Sequence, residues 1–288
     1  MNIEEIKEGL EKVNYIPNND ILFAVSGAVN SNIPLLIEGS PGTGKTLLAK
    51  AVSQMLDIPL IRVQFYEGIT ADKILYDYDY QKQLLTIESI KSVLSKELGD
   101  KKIKDAVNFA SKINFYDETF LIKRPILQSI TSDTPCVLLL DEVEKSSEEI
   151  EYTLLEFLDE FALTIPQLGR IEAKNKPIVF LTSNNYRQLS DALKRRCNYL
   201  YIEDKTESEM KKILETKAQI DEKLSASISK MIVSLRNLNL KQMPSIAEAI
   251  NWGKYLTENE IKEEDIHYTL GILLKNKEDI EIVKKEKY

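Results

Sequence analysis

An eight-residue stretch constrains this chain most, because it matches the phosphate-binding pattern G-x-x-x-x-G-K-[ST] at every fixed position. It reads Gly39-Ser40-Pro41-Gly42-Thr43-Gly44-Lys45-Thr46. Apolar residues 34–37 predict a buried strand before it, and residues 47–52 predict a helix after it. Glycines let backbone N–H groups turn toward phosphate oxygens, and the helix N-terminus adds partial positive charge. With strand, turn and helix in the right order, a nucleotide site is favoured over a ligand-free glycine turn.

The same stretch assigns roles to single side chains. Lys45 is predicted to reach the β- and γ-phosphates, and the Thr46 hydroxyl to hold Mg²⁺. Leu47, in the first helical turn, is predicted to complete the nucleotide contacts. ATP and Mg²⁺ are therefore the expected ligands.

Composition describes an ordinary globular chain of 288 residues, with 43% hydrophobic and 29% charged residues. No apolar run approaches the roughly 20 residues that span a bilayer, and the acidic N-terminus lacks the features of a secretory signal. The two cysteines, Cys136 and Cys197, show no metal-ligand spacing, which favours reduced thiols and a cytoplasmic location. The net charge of −8 weighs against nucleic acid as the substrate.

Four further apolar runs predict buried strands, so that a five-stranded parallel sheet is expected. They lie at residues 59–65, 136–140, 177–182 and 198–202. The connection between the second and third strands is roughly seventy residues, which is longer than a βαβ crossover needs. We therefore expect an insertion at about residues 66–120, with a tyrosine-rich part at 76–80 and a helical part at 87–111. The tyrosines predict either a contact patch or a small satellite core.

Polar residues follow two of these strands at their carboxyl ends, where α/β folds place functional groups. Asp141 is predicted to hold Mg²⁺, and Glu142 to orient and deprotonate the attacking water. Asn184 is placed to hydrogen-bond the water and the γ-phosphate.

A pair of arginines, Arg195 and Arg196, precedes the last strand. They are either a solvated basic helix end or a guanidinium offered to the γ-phosphate of a neighbouring subunit. The second alternative requires a head-to-tail ring.

Helix caps are predicted at three places. Asn19 or Asp20 is expected to cap a helix that runs to about residue 30, and residues 146–149 and 206–209 both resemble capping boxes. Beyond Asp204 the pattern is almost wholly helical and charged. We therefore expect two domains, an α/β domain over residues 1–204 and a small helical domain over 205–288.

The chain resembles an AAA+ ATPase in the order of its motifs, which are the phosphate loop, Asp141-Glu142, Asn184 at the end of a strand and the arginine pair. Residues 62–68 (RVQFYEG), 155–166 (LEFLDEFALTIP) and 181–184 (LTSN) resemble the MoxR-type branch in particular. Within that branch, the chain is most similar to proteins associated with carbon monoxide dehydrogenase maturation. The resemblance covers roughly residues 15–260.

This resemblance implies a P-loop AAA+ module with a five-stranded parallel sheet, followed by a small α-helical lid domain. Gly39–Thr46 corresponds to Walker A, Asp141 and Glu142 to Walker B, and Asn184 to sensor 1. Arg196 best matches the arginine finger, and Arg195 is the second candidate. The hairpin at 161–171 and the region 67–80 would contact the client. Lys241 stands where an arginine normally serves as sensor 2.

The expected function is ATP hydrolysis that remodels or matures a partner protein or metalloenzyme complex. The resemblance implies a homo-oligomeric ring, a hexamer, and a von Willebrand factor A-domain partner beside the client. The alternatives are a nucleic-acid-dependent AAA+ motor or loader, and a scaffold that binds ATP with little turnover.

Overall fold

A computed structural model describes residues 1–98, 114–261 and 263–285. The strands follow one another along the chain as β1 Leu35–Gly39, β2 Leu60–Gln64, β3 Tyr76–Tyr78, β4 Leu121–Lys123, β5 Val137–Asp141, β6 Ala162–Ile165, β7 Gly169–Glu172, β8 Ile178–Ser183 and β9 Asn198–Ile202. The α-helices are α1 Ile3–Lys12, α2 Asn19–Ser31, α3 Lys45–Leu56, α4 Ala71–Ile74, α5 Tyr80–Leu98, α6 Pro125–Ile130, α7 Glu148–Glu160, α8 Asp191–Lys194, α9 Glu207–Ala218, α10 Glu222–Leu235, α11 Ile246–Glu258, α12 Leu270–Leu273 and α13 Lys277–Lys285. Short 3₁₀ turns lie at Glu118–Phe120, Val143–Lys145 and Glu263–Tyr268.

The central sheet contains five parallel strands in the order β2-β5-β8-β1-β9. Alternate residues of its strands join two different apolar clusters, one on each face. Leu138 and Leu140 pack on one side, and Val137 and Leu139 on the other. Parallel strands covered on both faces have continuous apolar sequences, so the predicted α/β fold with a five-stranded parallel sheet is confirmed.

Two predicted helix caps were wrong by one or two residues. Asn18, rather than Asn19 or Asp20, caps α2, because its Oδ1 accepts the N–H of Ile21 at 2.9 Å. Ser147 caps α7 with no capping box, because the Ser146 hydroxyl instead donates to Val143 O at 2.8 Å. The capping box that begins α9 at Thr206 is present as predicted.

The long connection after β2 contains α4, α5, α6 and the antiparallel pair β3–β4. The predicted helical stretch at 87–111 is helical to Leu98, and its remainder lies outside the described residues. Tyr76 and Tyr78 are half-buried and pack on the sheet cluster, whereas Tyr80 is exposed. Tyr76 and Tyr78 therefore belong to the main core of the sheet and not to a separate satellite core. The contact patch stays a prediction, for which Tyr80 is exposed. A second antiparallel hairpin, β6–β7, follows α7.

Helices α9 to α13 form their own apolar cluster, which centres on the buried Trp252. The indole N–H donates to the Thr269 hydroxyl at 2.7 Å, so its polar edge is satisfied. The helices predicted after the sheet are therefore present, with an apolar cluster of their own. In the described part of the chain, no helix combines the length and apolarity that a bilayer crossing requires.

Candidate functional site

The loop between β1 and α3 leaves the N-terminus of α3 open. Gly44 is the N-cap in the left-handed conformation (φ +99°), and no side chain caps this helix. The first turn also contains no acidic residue. Its unbonded amides and partial positive charge therefore form an anion site. A Cβ built on Gly44 would meet no atom within 4 Å, which indicates open space beside the loop.

Lys45 is the buried cation of this loop. Its Nζ donates to the Gly39 and Ser40 carbonyls, both at 2.8 Å. Burial lowers the pKa of Lys45, and the negative charges of Glu144, Asp141, Glu142 and Asp204 oppose that effect. The ammonium group is thus held at the loop that would bind phosphate.

Asp141 ends β5 and is almost wholly buried, at 2% exposed. Its Oδ1 accepts from the Thr46 hydroxyl at 2.8 Å and from the Thr182 hydroxyl at 2.5 Å. Its Oδ2 accepts from Arg62 Nε at 3.0 Å and Nη2 at 2.5 Å. Thr46 and Asp141 offer adjacent oxygen atoms, the donor type that Mg²⁺ prefers, so these residues fit a magnesium ion that also binds phosphate.

Glu142 follows Asp141 in a left-handed conformation, with φ +60°. A non-glycine residue in this region is strained by roughly 1–3 kcal/mol, and such residues occur in turns and cluster at functional sites. The backbone N–H of Glu142 donates to Thr182 Oγ1 at 2.9 Å. Its Oε2 accepts from Gln64 Nε2 at 2.7 Å and from Lys145 Nζ at 2.6 Å. The hydrogen bond from Lys145 to Glu142 raises the pKa of Lys145.

Asn184 follows β8, the strand beside β5, so its amide lies near the carboxylates of Glu142 and Glu144. Its Nδ2 is 3.0 Å from Glu144 Oε1 and 3.4 Å from Glu142 Oε1. The structure therefore brings Lys45, Thr46, Asp141, Glu142 and Asn184 together in one cleft of about 550 Å³.

The predicted arginines lie elsewhere, and neither of them lines this cleft. Arg196 Nη1 donates to Ala192 O at 2.9 Å, and its Nη2 is 3.3 Å from a carboxylate oxygen of Asp159. Arg195 is exposed, and its side chain forms no hydrogen bond or ion pair within the residues that the structure describes.

Side chains from the second half of the chain close the cleft. Ile213, Ile246 and Ile250 add apolar side chains to its lining, joined by Lys205 and Lys217. Lys241 instead lines a neighbouring cavity of about 620 Å³ and pairs with Glu278 at 3.1 Å. Beyond residue 204, the lysines that line the cleft are Lys205 and Lys217, and not Lys241.

The sequence patterns did not identify several residues that contact the predicted site: Arg62, Gln64, Glu144, Lys145 and Thr182. Gln64 pairs in register with Asp141 across β2 and β5, which places both Gln64 and Arg62 beside the carboxylates. The alternating pattern of β2 predicts that Arg62 and Gln64 are exposed. Only the order of strands in the sheet shows that they lie beside the carboxylates at the end of β5.

Comparisons with known proteins give one family match. The family model described as "AAA domain (dynein-related subfamily)" matches residues 34–197. A curated relative, the ATP-dependent zinc metalloprotease FtsH of Heterosigma akashiwo, is 35% identical over 89 residues, which cover 28% of this chain and 13% of the relative. The chain thus matches only a small part of that protein. A solved structure of a Thermotoga maritima RuvB mutant aligns with a TM-score of 0.49 and 16% identity, over 95% of this chain and 71% of RuvB.

Proposed function

The chain belongs to the AAA family of ATPases, in its dynein-related subfamily, and from this premise we propose that it hydrolyses ATP in the cleft described above to remodel a partner protein. One observation carries this proposal. The Thr46 hydroxyl bonds Asp141 at 2.8 Å, so that the phosphate loop and the end of β5 meet beside Glu142. Phosphate binding, metal binding and a general base are then available in one place.

Each side chain has a role in the proposed reaction. The amides of residues 44–47 and the Lys45 ammonium bind the phosphates. Thr46 and Asp141 would hold Mg²⁺, which would neutralise charge on the phosphates. Glu142 takes a proton from the water that attacks the γ-phosphorus, while the bond from that phosphorus to the β-bridging oxygen breaks and ADP leaves. Asn184 orients the same water.

We also propose the finer assignment, a MoxR-type ATPase of the branch associated with carbon monoxide dehydrogenase maturation. The sequences of residues 62–68, 155–166 and 181–184, which resemble that branch, support it. They contain the end of β2, the end of α7 with β6, and the end of β8. A von Willebrand factor A-domain partner, a client protein and a hexameric ring follow from this assignment. Two free cysteines support a cytoplasmic location.

The proposed division at residue 204 falls between β9 and α9. It is supported by the separate apolar cluster of the later helices. The proposed insertion at about 66–120 contains the β3–β4 pair.

We propose Arg195, in preference to Arg196, as the arginine finger. Arg195 is exposed and unpaired within the described chain, whereas Arg196 is held by Asp159 and Ala192. A finger must leave its own subunit and reach the γ-phosphate of the next.

The proposal is tested by Glu142→Gln, which keeps the shape of the side chain and removes the base. We expect turnover to fall at least about 100-fold, while affinity for a fluorescent ATP analogue stays within about threefold. Glu149→Gln, on the exposed first turn of α7, is the matched control. Unchanged turnover in Glu142→Gln would remove its role as base, and inactivity of the wild type with ATP and Mg²⁺ would refute the function. A turnover that requires added DNA or RNA would point instead to a nucleic-acid motor.

A further inference from the structure

Glu144 is a buried carboxylate that no sequence motif assigns. It lies two residues after Glu142, in the 3₁₀ turn Val143–Lys145, and is 4% exposed. Its Oε1 accepts two hydrogen bonds from the same residue. One comes from the backbone N–H of Asn184 and one from its Nδ2, both at 3.0 Å.

These two bonds fix the side chain of Asn184. One acceptor that binds the main-chain and side-chain donors of one residue leaves its side-chain torsions little freedom. The second hydrogen of the carboxamide nitrogen faces Glu142 Oε1 at 3.4 Å. Ionised carboxylates only accept hydrogen bonds. The Asn184 side-chain atom that faces Glu144 and Glu142 must therefore be the amide nitrogen, which donates.

The carbonyl oxygen of Asn184 is consequently the open atom of the amide. Among the described residues it receives no hydrogen bond, and Asn184 lines the cleft that contains Lys45 and Asp141. An open carbonyl oxygen accepts a hydrogen bond from water, whereas it cannot donate one to a phosphate.

We propose that Glu144 is a positioning residue for ATP hydrolysis, which holds Asn184 so that its carbonyl oxygen accepts a hydrogen bond from the attacking water. This inference rests on the proposed ATPase function. Asn184 then orients the water whose proton Glu142 takes. Glu144 itself touches neither water nor nucleotide.

The second oxygen of Glu144 provides a way to separate position from charge. Glu144 Oε2 is buried and has no hydrogen-bond partner within the described chain. Only Oε1 is needed to hold Asn184. A glutamine at this position keeps an acceptor there and replaces the unpartnered oxygen with an uncharged amide nitrogen.

The test measures kcat and nucleotide affinity for Glu144→Ala, Glu144→Gln, Asn184→Ala and the double variant. We expect Glu144→Ala to lower kcat about 10- to 100-fold, as loss of an orienting partner does, with the dissociation constant of a fluorescent ATP analogue within about threefold. Glu144→Gln is expected to recover most of that rate. If Glu144→Ala does not fold, Glu144→Met fills the same volume without an acceptor.

The decisive comparison is the double variant. If Glu144 acts through Asn184, removing both side chains slows the reaction no more than Asn184→Ala alone. The inference would be overturned if the rate loss of the double variant equalled the product of the two single losses. It would also be overturned if Glu144→Gln were as slow as Glu144→Ala. Either result would leave the ATPase function intact. A wild type without ATPase activity would instead defeat the proposed function, and this inference with it.

Discussion

Asp141 is a buried carboxylate whose charge is balanced by a side chain from the neighbouring strand. Asp141 is 2% exposed, whereas the Arg62 side chain that donates two hydrogen bonds to its Oδ2 is 43% exposed. Loss of one partner from a fully buried ion pair costs about 3–5 kcal/mol. Partial solvent exposure of Arg62 reduces that cost, and we expect about 1–2 kcal/mol here.

Arg62→Ala should therefore lower the melting temperature by about 2–4 °C in the presence of EDTA. Added Mg²⁺ should recover part of this loss, because a divalent cation beside Asp141 replaces the missing positive charge. Thermal unfolding of wild type and variant, with and without Mg²⁺, measures both effects.

The matched control for this experiment is Arg124→Ala. Arg124 Nη2 is 3.2 Å from a carboxylate oxygen of Asp77, in the long connection after β2 and away from the cleft. That variant should show no magnesium-dependent recovery. Equal recovery in both variants, or none in Arg62→Ala, would contradict a magnesium site at Asp141.

Some residues of the site can be predicted from their position in the sequence, and others cannot. The phosphate loop, Asp141, Glu142 and Asn184 stand at predictable places, directly after apolar strands or between a strand and a helix. Arg62 and Glu144 do not. Their contacts arise because β2 lies beside β5 and because a 3₁₀ turn follows Glu142, and neither fact follows from residue spacing.

At the scale of elements, most of the fold could be predicted because each buried strand is an apolar run. Boundaries were less certain. Asn18, Asn19 and Asp20 are all good caps, so propensity could not choose among them. At Ser146 the pattern S-x-x-E was matched, but the preceding turn uses the hydroxyl. Local sequence therefore predicts that a helix is present, whereas contacts with the preceding turn determine its first residue.

Contact between α11 and the phosphate loop is an element-scale feature with a sharp test. A Cβ on Gly42 would lie 2.4 Å from Ser245 Cβ and 2.9 Å from its Cα. Ser245 is the N-cap of α11, held by a capping box with Glu248. The start of this helix therefore packs directly on the loop.

Gly42→Ala should push the start of α11 off the loop, because a Cβ nearer than about 3 Å to a backbone atom cannot be accommodated without movement. We expect faster amide hydrogen exchange over residues 246–250 in the nucleotide-free protein. Gly44→Ala is the matched control, since Gly44 also has a positive φ but has open space where a Cβ would stand. Equal exchange in the two variants would show that backbone strain in the loop, and not contact with Ser245, controls α11.

At the scale of the whole molecule, no arginine among the described residues lines the cleft, and Arg62, which contacts its edge, is paired with Asp141. Phosphoryl transfer commonly uses a guanidinium to neutralise transition-state charge. The finger role proposed for the exposed Arg195 requires a neighbouring copy, in a head-to-tail contact that repeats around a ring. A single sequence carries no direct signal for such an interface, which is why the arginine pair retained two alternatives.

Mixing two inactive variants tests this arrangement. Arg195→Ala keeps an intact cleft but offers no finger, whereas Glu142→Gln offers a finger but has no base. We expect each alone to turn over ATP at least about 100-fold more slowly than wild type. An equimolar mixture should regain at least about tenfold over either variant alone, because some Arg195→Ala clefts then face an intact Arg195.

Arg196→Ala is the control for the mixing experiment. Its guanidinium is held by Asp159 and Ala192 within its own chain, and an exposed ion pair contributes at most about 1 kcal/mol. Its turnover should therefore remain near that of wild type. Recovery of activity when Arg196→Ala, and not Arg195→Ala, is mixed with Glu142→Gln would transfer the finger to Arg196. Absence of recovery in both mixtures would mean that neither arginine acts between subunits, since a side chain that works within its own subunit cannot be supplied by a neighbour.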